Sequence, residues 1–314
     1  MSRDLFGAVE GGGTKFICAL ATAPEPGAIV DRVRIDTGRA HETLEQVVRF
    51  FRGRRLAALG VASFGPIELD EASPRYGHVL PTPKTGWSNE PVLPRLAAGL
   101  GLPPGRVRWD TDVNAAALGE ARWGAGRGAD PLVYVTVGTG IGGGVVVDGR
   151  PLHGLLHPEL GHLPVPPIRL ADGSTDQFPG HGCPFHRNCW EAMAAGPALA
   201  ARLGRPADDV PDDDPVWEIE ARYLALGLAA CVLAVSPRRI VVGGGVVVSR
   251  AASLLPRVRA ALAEVLNGYV PRPELAERLD EYVVAPDLAD PAIAGALELA
   301  GRAAFEGAAT PSDR

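Results

Sequence analysis

PLVYVTVGTGIGGGVVVDG (131–149) is an apolar strand, a glycine-rich turn and a second apolar strand. LFGAVEGGGTKFICALA (5–21) has the same build. Each flank is a short run rich in β-branched and small apolar residues, the signature of a buried strand. Glycine between such strands lets φ become positive and lets backbone N–H groups approach an anion closely. Two copies of one unit, each presenting such a turn, predict a duplicated α/β architecture with a cleft between its halves. A third turn, in RRIVVGGGVV (238–247), leads into a helix. None of the three has P-loop spacing or a G-x-G-x-x-G opening a helix. Singly, each reads equally as an ordinary hairpin turn. Together they fit a nucleoside triphosphate gripped by two domains. Gly12, Gly13, Thr14 and Lys15 belong to the first turn, Gly138, Thr139 and Gly140 to the second, and Gly244 and Gly245 to the third.

Outward from these turns the pattern alternates. Residues 28–35 predict a third strand, 41–53 a helix, 56–65 a buried strand and 91–101 a helix closed by glycine. Residues 107–112 read as a strand running into a helix, with Asp112 as its N-cap. Helices are expected at 191–204, 215–235, 249–266 and 290–307, and a last strand at 281–286; 150–190 is irregular. The domains expected are 1–115, joined by a C-terminal helix 290–309, and 116–289.

Composition excludes several classes. The 314 residues are 46% hydrophobic and 22% charged, enough apolar material for two cores. Net charge is −6, so no basic excess is available to neutralise nucleic-acid phosphates. DDVPDDDP (208–215) reads as a solvated turn before a helix. The chain opens without a signal peptide and holds no apolar run of membrane-spanning length, which places it in the cytoplasm, where thiols stay reduced.

Cysteine is scarce, four residues in all. Cys18 and Cys231 lie in apolar runs as inert buried thiols. Cys183 and Cys189 lie in a loop, CPFHRNC (183–189), which follows HPELGH (157–162) after 20 residues. His162, Cys183, His186 and Cys189 offer two imidazoles and two thiolates, a closed tetrahedral set for Zn²⁺. His157 and His181 are lower-ranked rivals, and incidental loop residues or a disulfide are the plainer readings. Glu159 and Glu191 sit in the same stretch without structural duty, so a zinc clip stiffening a carboxylate-lined pocket is expected. In WDTDVNAAALGEARWG (109–124), Asp112 marks the end of a strand. Its plain reading is a helix cap; its functional reading is a general base that takes a proton from a hydroxyl attacking a γ-phosphorus.

E-x-G-G-T-K, D-x-N-A-A-A-L-G-E, V-G-T-G-I-G-G-G, H-P-E-L-G-H and C-P-x-H-x-x-C-x-E, in that order, resemble the ROK family of sugar kinases over residues 5–305. C-P-F-H-R-N-C, Glu10 and PTPKTGW (81–87) are similar to its bacterial fructokinase branch. The resemblance implies an α/β, actin-like ATPase (hexokinase-type) fold, with two α/β domains around a cleft and a structural zinc loop. It implies transfer of phosphate from ATP, with Mg²⁺, to O6 of fructose, with Asp112 as the base. It further implies sugar contacts from Gly65, Thr85, Gly86, Trp87, Asn114, Glu159, His162 and Glu191, and a homodimer. The same chemistry on glucose, mannose or an N-acetyl amino sugar is the first rival. A DNA-binding repressor of this family needs a helix-turn-helix before the first phosphate hairpin, which here begins by residue 10.

Overall fold

The computed structural model describes residues 4–306. Internal contacts group the chain into two units. The first takes the described residues up to Gly124, then Arg150–His157 and everything from Leu288; the second takes Ala125–Gly149 and Pro158–Asp287.

The first unit is built on β1 (Leu5–Gly11), β2 (Lys15–Ala21), β3 (Ile29–Asp36), β4 (Leu56–Ser63) and β5 (Val107–Thr111), in the order β3-β2-β1-β4-β5. β1–β2 and β2–β3 are antiparallel; β1–β4 and β4–β5 are parallel. Helices α1 (Ala40–Phe51), α2 (Val92–Leu100) and α3 (Asp112–Trp123) complete its N-terminal part. Leu44, Val47, Val48 and Phe51 recur on one stripe of α1 and join Val9, Phe16, Leu59, Trp87 and Leu96 in a buried core.

The second unit carries β6 (Leu132–Val137), β7 (Ile141–Val147), β9 (Arg239–Gly243) and β10 (Val283–Val284). With the two-residue β8 (Arg150–Pro151) the sheet order is β10-β9-β6-β7-β8. Read from its other edge, that is the first sheet again. β6–β7 is antiparallel, and β6–β9 and β9–β10 are parallel. The duplication legible in the two strand–turn–strand segments is therefore a duplication of topology. Helices α4 (Trp190–Ala194), α5 (Gly196–Leu203), α6 (Val216–Val235), α7 (Gly245–Val248), α8 (Ala251–Leu266), α9 (Pro273–Ala276) and α10 (Leu279–Tyr282) belong to this unit. α6 buries residues around most of its circumference, Trp217, Tyr223, Leu224 and Leu228 among them, as a helix apolar nearly all round must.

The last helix, α11 (Pro291–Glu306), groups with the first unit. Small residues let it lie directly on its neighbours. A Cβ on Gly60 of β4 would fall 1.8 Å from the Ala296 carbonyl, and one on Gly295 would fall 1.7 Å from that of Ala115 in α3. The expected division at 115/116 falls inside α3, which stays with this unit to Gly124 because α11 packs along it. Residues 307–309 of the expected last helix lie outside the described residues. Two element readings change. The helix expected over 191–204 is split into α4 and α5, and the strand expected over 281–286 keeps only β10 because α10 takes up its start.

Candidate active site and metal centre

The first glycine turn is held by its surroundings rather than by its own length. Gly12 N donates to Lys15 O at 2.8 Å, closing the hairpin. Thr37, just past β3, donates its hydroxyl to Gly12 O (2.8 Å) and its amide to Thr14 O (3.0 Å). The Lys84 ammonium, from the PTPKTGW loop, donates to Gly13 O. A Cβ on Gly13 would meet nothing within 4 Å, so the tip is open. Thr14 and Lys15 are exposed beside it. Glu10, half-buried at the end of β1, has its carboxyl raised by burial, opposed by the Lys15 charge. A cation held there would ionise it.

At the start of α3 the structure corrects one expectation. The N-cap is Thr111, whose hydroxyl accepts from Asn114 N at 3.1 Å, and Asp112 is the first helical residue. Its Oδ1 accepts from Val113 N at 2.9 Å. A carboxylate in the first turn is favoured by the partial positive charge of the helix end. Two other residues expected as sugar contacts are buried. Trp87 is 0% exposed. It stacks on Phe16 at 5.3 Å between centroids and donates its indole N–H to Gly38 O at 3.1 Å, so it is a core residue rather than a wall of a sugar site. Asn114 is 1% exposed. Its amide nitrogen donates to Asp110 Oδ1 at 2.6 Å, which braces the helix start. Gly65 lies against the imidazole of His157, where a Cβ would come within 3.2 Å. Ile67 N donates to His157 Nε2 at 3.2 Å, which fixes that nitrogen as an acceptor and removes His157 from metal binding. Thr85 and Gly86 are exposed, Gly86 at φ +78°.

In the second unit the other two glycine turns lie side by side. Gly138 N donates to Gly140 O at 2.9 Å, and Gly196 N, opening α5, donates to Gly138 O at 2.8 Å. Gly244 takes φ +86°, and a Cβ there would strike Val137 O at 2.3 Å. The third turn is thus pressed onto the end of β6, where only glycine fits. Thr139 and Gly245 are exposed on this patch.

Glu191 reaches beneath the second turn. Its Oε2 accepts from Ile141 N at 3.0 Å, and a Cβ on Gly140 would lie 2.5 Å from that oxygen. Glu159 has its carboxyl pushed up to about 6, first by burial and then by the charge of Glu191. The two carboxylates therefore share one neighbourhood, as expected.

Next to them the four expected metal ligands converge. One donor atom from each of His162, Cys183, His186 and Cys189 lies within 4.8 Å of the others. Cys183 Sγ is 3.6 Å from His162 Nδ1 and 3.8 Å from His186 Nδ1. Tetrahedral zinc with bonds of about 2.0–2.3 Å places its ligands roughly 3.3–3.8 Å apart; both Cys183 separations lie in that range, and the donor set of two thiols and two imidazoles suits that ion. All four cysteines are free thiols, which removes the disulfide reading. Cys18 and Cys231 are pushed up to about 12 by burial, as inert core thiols should be. Cys189 is pushed up to about 11, chiefly by burial, with Cys183 and Glu191 adding to it. A thiolate in that position calls for a cation, which a metal held by the four side chains would supply.

The loop geometry explains why the ligands meet. His162 ends a 3-10 turn, Leu160–His162, whose Gly161 sits so close to β7 that a Cβ would be 1.8 Å from Ile141 O. Cys189 is the N-cap of α4, its sulfur accepting from Ala192 N at 3.4 Å. Val165 N donates to Asn188 O and Trp190 N to Leu163 O, so the two ligand stretches are tied as a short ladder. The segment between them, 163–182, gave no sequence signal for its path. It is anchored by Asp176, which accepts from both terminal guanidinium nitrogens of Arg202 (2.7 and 3.1 Å) and from the Tyr223 hydroxyl (2.6 Å). Arg202 in turn stacks 4.0 Å from the Phe178 ring. His181 stands outside the ligand set. Among the described residues no helix is long and apolar enough to cross a membrane.

Comparisons with known proteins agree with this layout. The fructokinase of Zymomonas mobilis is 42% identical over 275 residues, covering 85% of this chain and 87% of its own length. The ROK hexokinase of Thermus thermophilus superposes with a TM-score of 0.73 at 29% identity, over 96% of this chain and 99% of that one. A ROK family glucokinase of Streptomyces griseus, solved with glucose and AMPPNP, gives 0.69 at 26% identity, over 94% and 98%. The two α/β sheets are those of the hexokinase-type, actin-like ATPase fold. A family model described as the ROK family matches residues 6–303, and the chain belongs to that family.

Proposed function

We propose that this chain is an ATP-dependent fructokinase that phosphorylates D-fructose at O6. The observation that carries the reading is the gathering of Glu159 and Glu191 beside a complete four-ligand metal set, in a chain 42% identical to a fructokinase. Asp112, at the first position of α3, takes the proton of the attacking hydroxyl. Such help contributes about 10²–10⁴ in rate. Phosphoryl transfer otherwise needs alignment and charge neutralisation, which backbone donors supply. Gly12, Gly13, Thr14, Lys15, Gly138, Thr139 and Gly140 bind phosphate groups; Gly244 and Gly245 take the adenosine side. Mg²⁺, when bound with ATP, neutralises the phosphate oxygens.

His162, Cys183, His186 and Cys189 hold Zn²⁺ as a closed site, which orders the sugar loop and activates no water. Glu159, Glu191 and His162, and also Gly65, Thr85 and Gly86, contact sugar hydroxyls. His162 can serve metal and sugar because its Nδ1 faces Cys183 and leaves its second nitrogen as a donor. The reading carries with it a cytoplasmic homodimer, checked by light scattering. The deciding experiment is an ATP-coupled assay across fructose, glucose, mannose and N-acetylated hexosamines, compared by kcat/KM. A hydroxyl-reading site discriminates by about 10⁴ or more. Fructose should rank first by a wide margin; a higher value for any other sugar overturns the assignment.

A further inference from the structure

Asp110 is an acid two residues before Asp112 that the proposed chemistry does not use. Its side chain is 3% exposed, and three donors converge on it. Thr111 N (2.8 Å) and Asn114 Nδ2 (2.6 Å) donate to Oδ1, and His153 Nε2 lies 2.9 Å from Oδ2. An ionised carboxylate only accepts, so the imidazole is the donor. Thr111 and Asn114 are themselves joined by the helix cap at 3.1 Å. The carboxylate thus grips both ends of the first turn of α3, the turn on which Asp112 stands. His153 comes from Arg150–His157, a segment that belongs to the first unit although its sequence neighbours on both sides belong to the second. Its ring is 40% exposed, in a shallow cavity of about 320 Å³ also lined by Glu68, Leu69 and Asp70.

We propose that His153 is a positioning residue for Asp112, acting through Asp110. The inference rests on the reading of Asp112 as the general base. Without the imidazole, Oδ2 loses its one side-chain donor and opens to water from the adjoining cavity. The carboxylate then rotates toward water and loosens its hold on Thr111 N and Asn114. A displacement of a reacting group by about 1 Å is worth around 10²-fold in rate. Substrate affinity, set elsewhere, stays put.

The test is a double-mutant cycle on the full-length zinc-loaded protein, with kcat and both KM values measured. His153→Ala should lower kcat about 10–100-fold, with KM for fructose and ATP within about threefold. His153→Gln, which keeps an amide donor, should recover most of the loss. In an Asp112→Asn background His153→Ala should cost almost nothing more, because its effect runs through Asp112. Wild-type kcat in His153→Ala, a loss confined to KM, or full additivity with Asp112→Asn overturns the proposal. Should His153→Ala not fold, Asp110→Asn reads the same link: kcat falls with KM unchanged, and unchanged kcat overturns it. Near-normal turnover of Asp112→Asn alone would remove the parent reading. A silent His153→Ala beside an impaired Asp112→Asn would remove only this one.

Discussion

Replacing Gly161 by alanine should dismantle the metal centre without touching a ligand. The added Cβ would lie 1.8 Å from Ile141 O and 2.8 Å from Ile141 C, both backbone atoms of β7. Contacts under 3.0 Å are not sustained, so the 3-10 turn and the strand must part by about 1.2 Å. No side-chain rotation relieves the clash, because the strand is held by pairing with β6 from Leu132–Val146 to Val137–Ile141. The turn is the part that gives way, and it carries His162 at its end. Overpacking of this kind costs about 1–3 kcal/mol. At roughly 2–4 °C per kcal/mol for a domain of this size, Tm should fall by about 2–12 °C. A ligand displaced by about 1 Å no longer completes a tetrahedron of bonds near 2.0–2.3 Å. Zinc per chain, measured by inductively coupled plasma spectrometry, should drop well below one, and kcat/KM for fructose should fall about 10²-fold. Gly105→Ala is the control, because a Cβ there meets nothing within 4 Å. Full zinc occupancy in Gly161→Ala, at an unchanged Tm, would refute the reasoning.

Asp112→Asn should lower kcat by about 10²–10⁴ while Tm stays near that of the parent, since Thr111 keeps the cap; near-normal turnover excludes Asp112 as the base. Gly13→Ala should leave Tm unchanged, because its Cβ enters open space, but raise KM for ATP; an unchanged KM removes the turn tip from the phosphate site. Trp87→Phe should cost about 1–3 kcal/mol in a denaturant melt through lost packing and the lost bond to Gly38 O, with KM for fructose unaltered; a large KM change would restore Trp87 as a sugar contact. His153 is held above its ordinary value, chiefly by its bond to Asp110. Its contribution to stability is then complete below the unfolded value of about 6.5 and is lost as pH rises through the higher folded value. The Tm gap between the parent and His153→Gln should therefore narrow from about pH 6 to pH 9, and a gap constant with pH contradicts the ion pair.

The sequence carried the architecture because duplication leaves a pattern that local reading can see. A strand, a glycine turn and a strand recur at 5–21 and 131–149, and both became the first two strands of five-stranded sheets of the same order. The metal set was legible for a similar reason: its residues are rare and their spacing is chemically restricted. Burial was not legible. Trp87 follows a Pro- and Gly-rich loop, and nothing local says that its ring turns inward onto Phe16. The cap at Thr111 was missed because Asp and Thr are both good caps and stand side by side. Asp176 was missed because its partners, Arg202 and Tyr223, are 26 and 47 residues away. Long-range pairing of polar residues leaves no period to read.

Within the second unit, one residue joins the parts that sequence reading kept separate. Ile141 is the first residue after the second glycine turn. Its amide donates to Glu191, the second residue of α4, two positions after the cap Cys189. Its carbonyl faces Gly161, in the turn that ends at the metal ligand His162. A shift of the metal turn therefore acts on the strand that closes the phosphate turn, and a shift of Glu191 acts on the same peptide from its other side. Glycine at 140 and at 161 is what allows both approaches, since a methyl group at either place would meet Glu191 at 2.5 Å or the strand at 1.8 Å. The Cys/His set is thus built onto the strand that follows the second glycine turn, and the proposed ordering of a sugar loop would act through that shared backbone rather than through any reach of a metal itself.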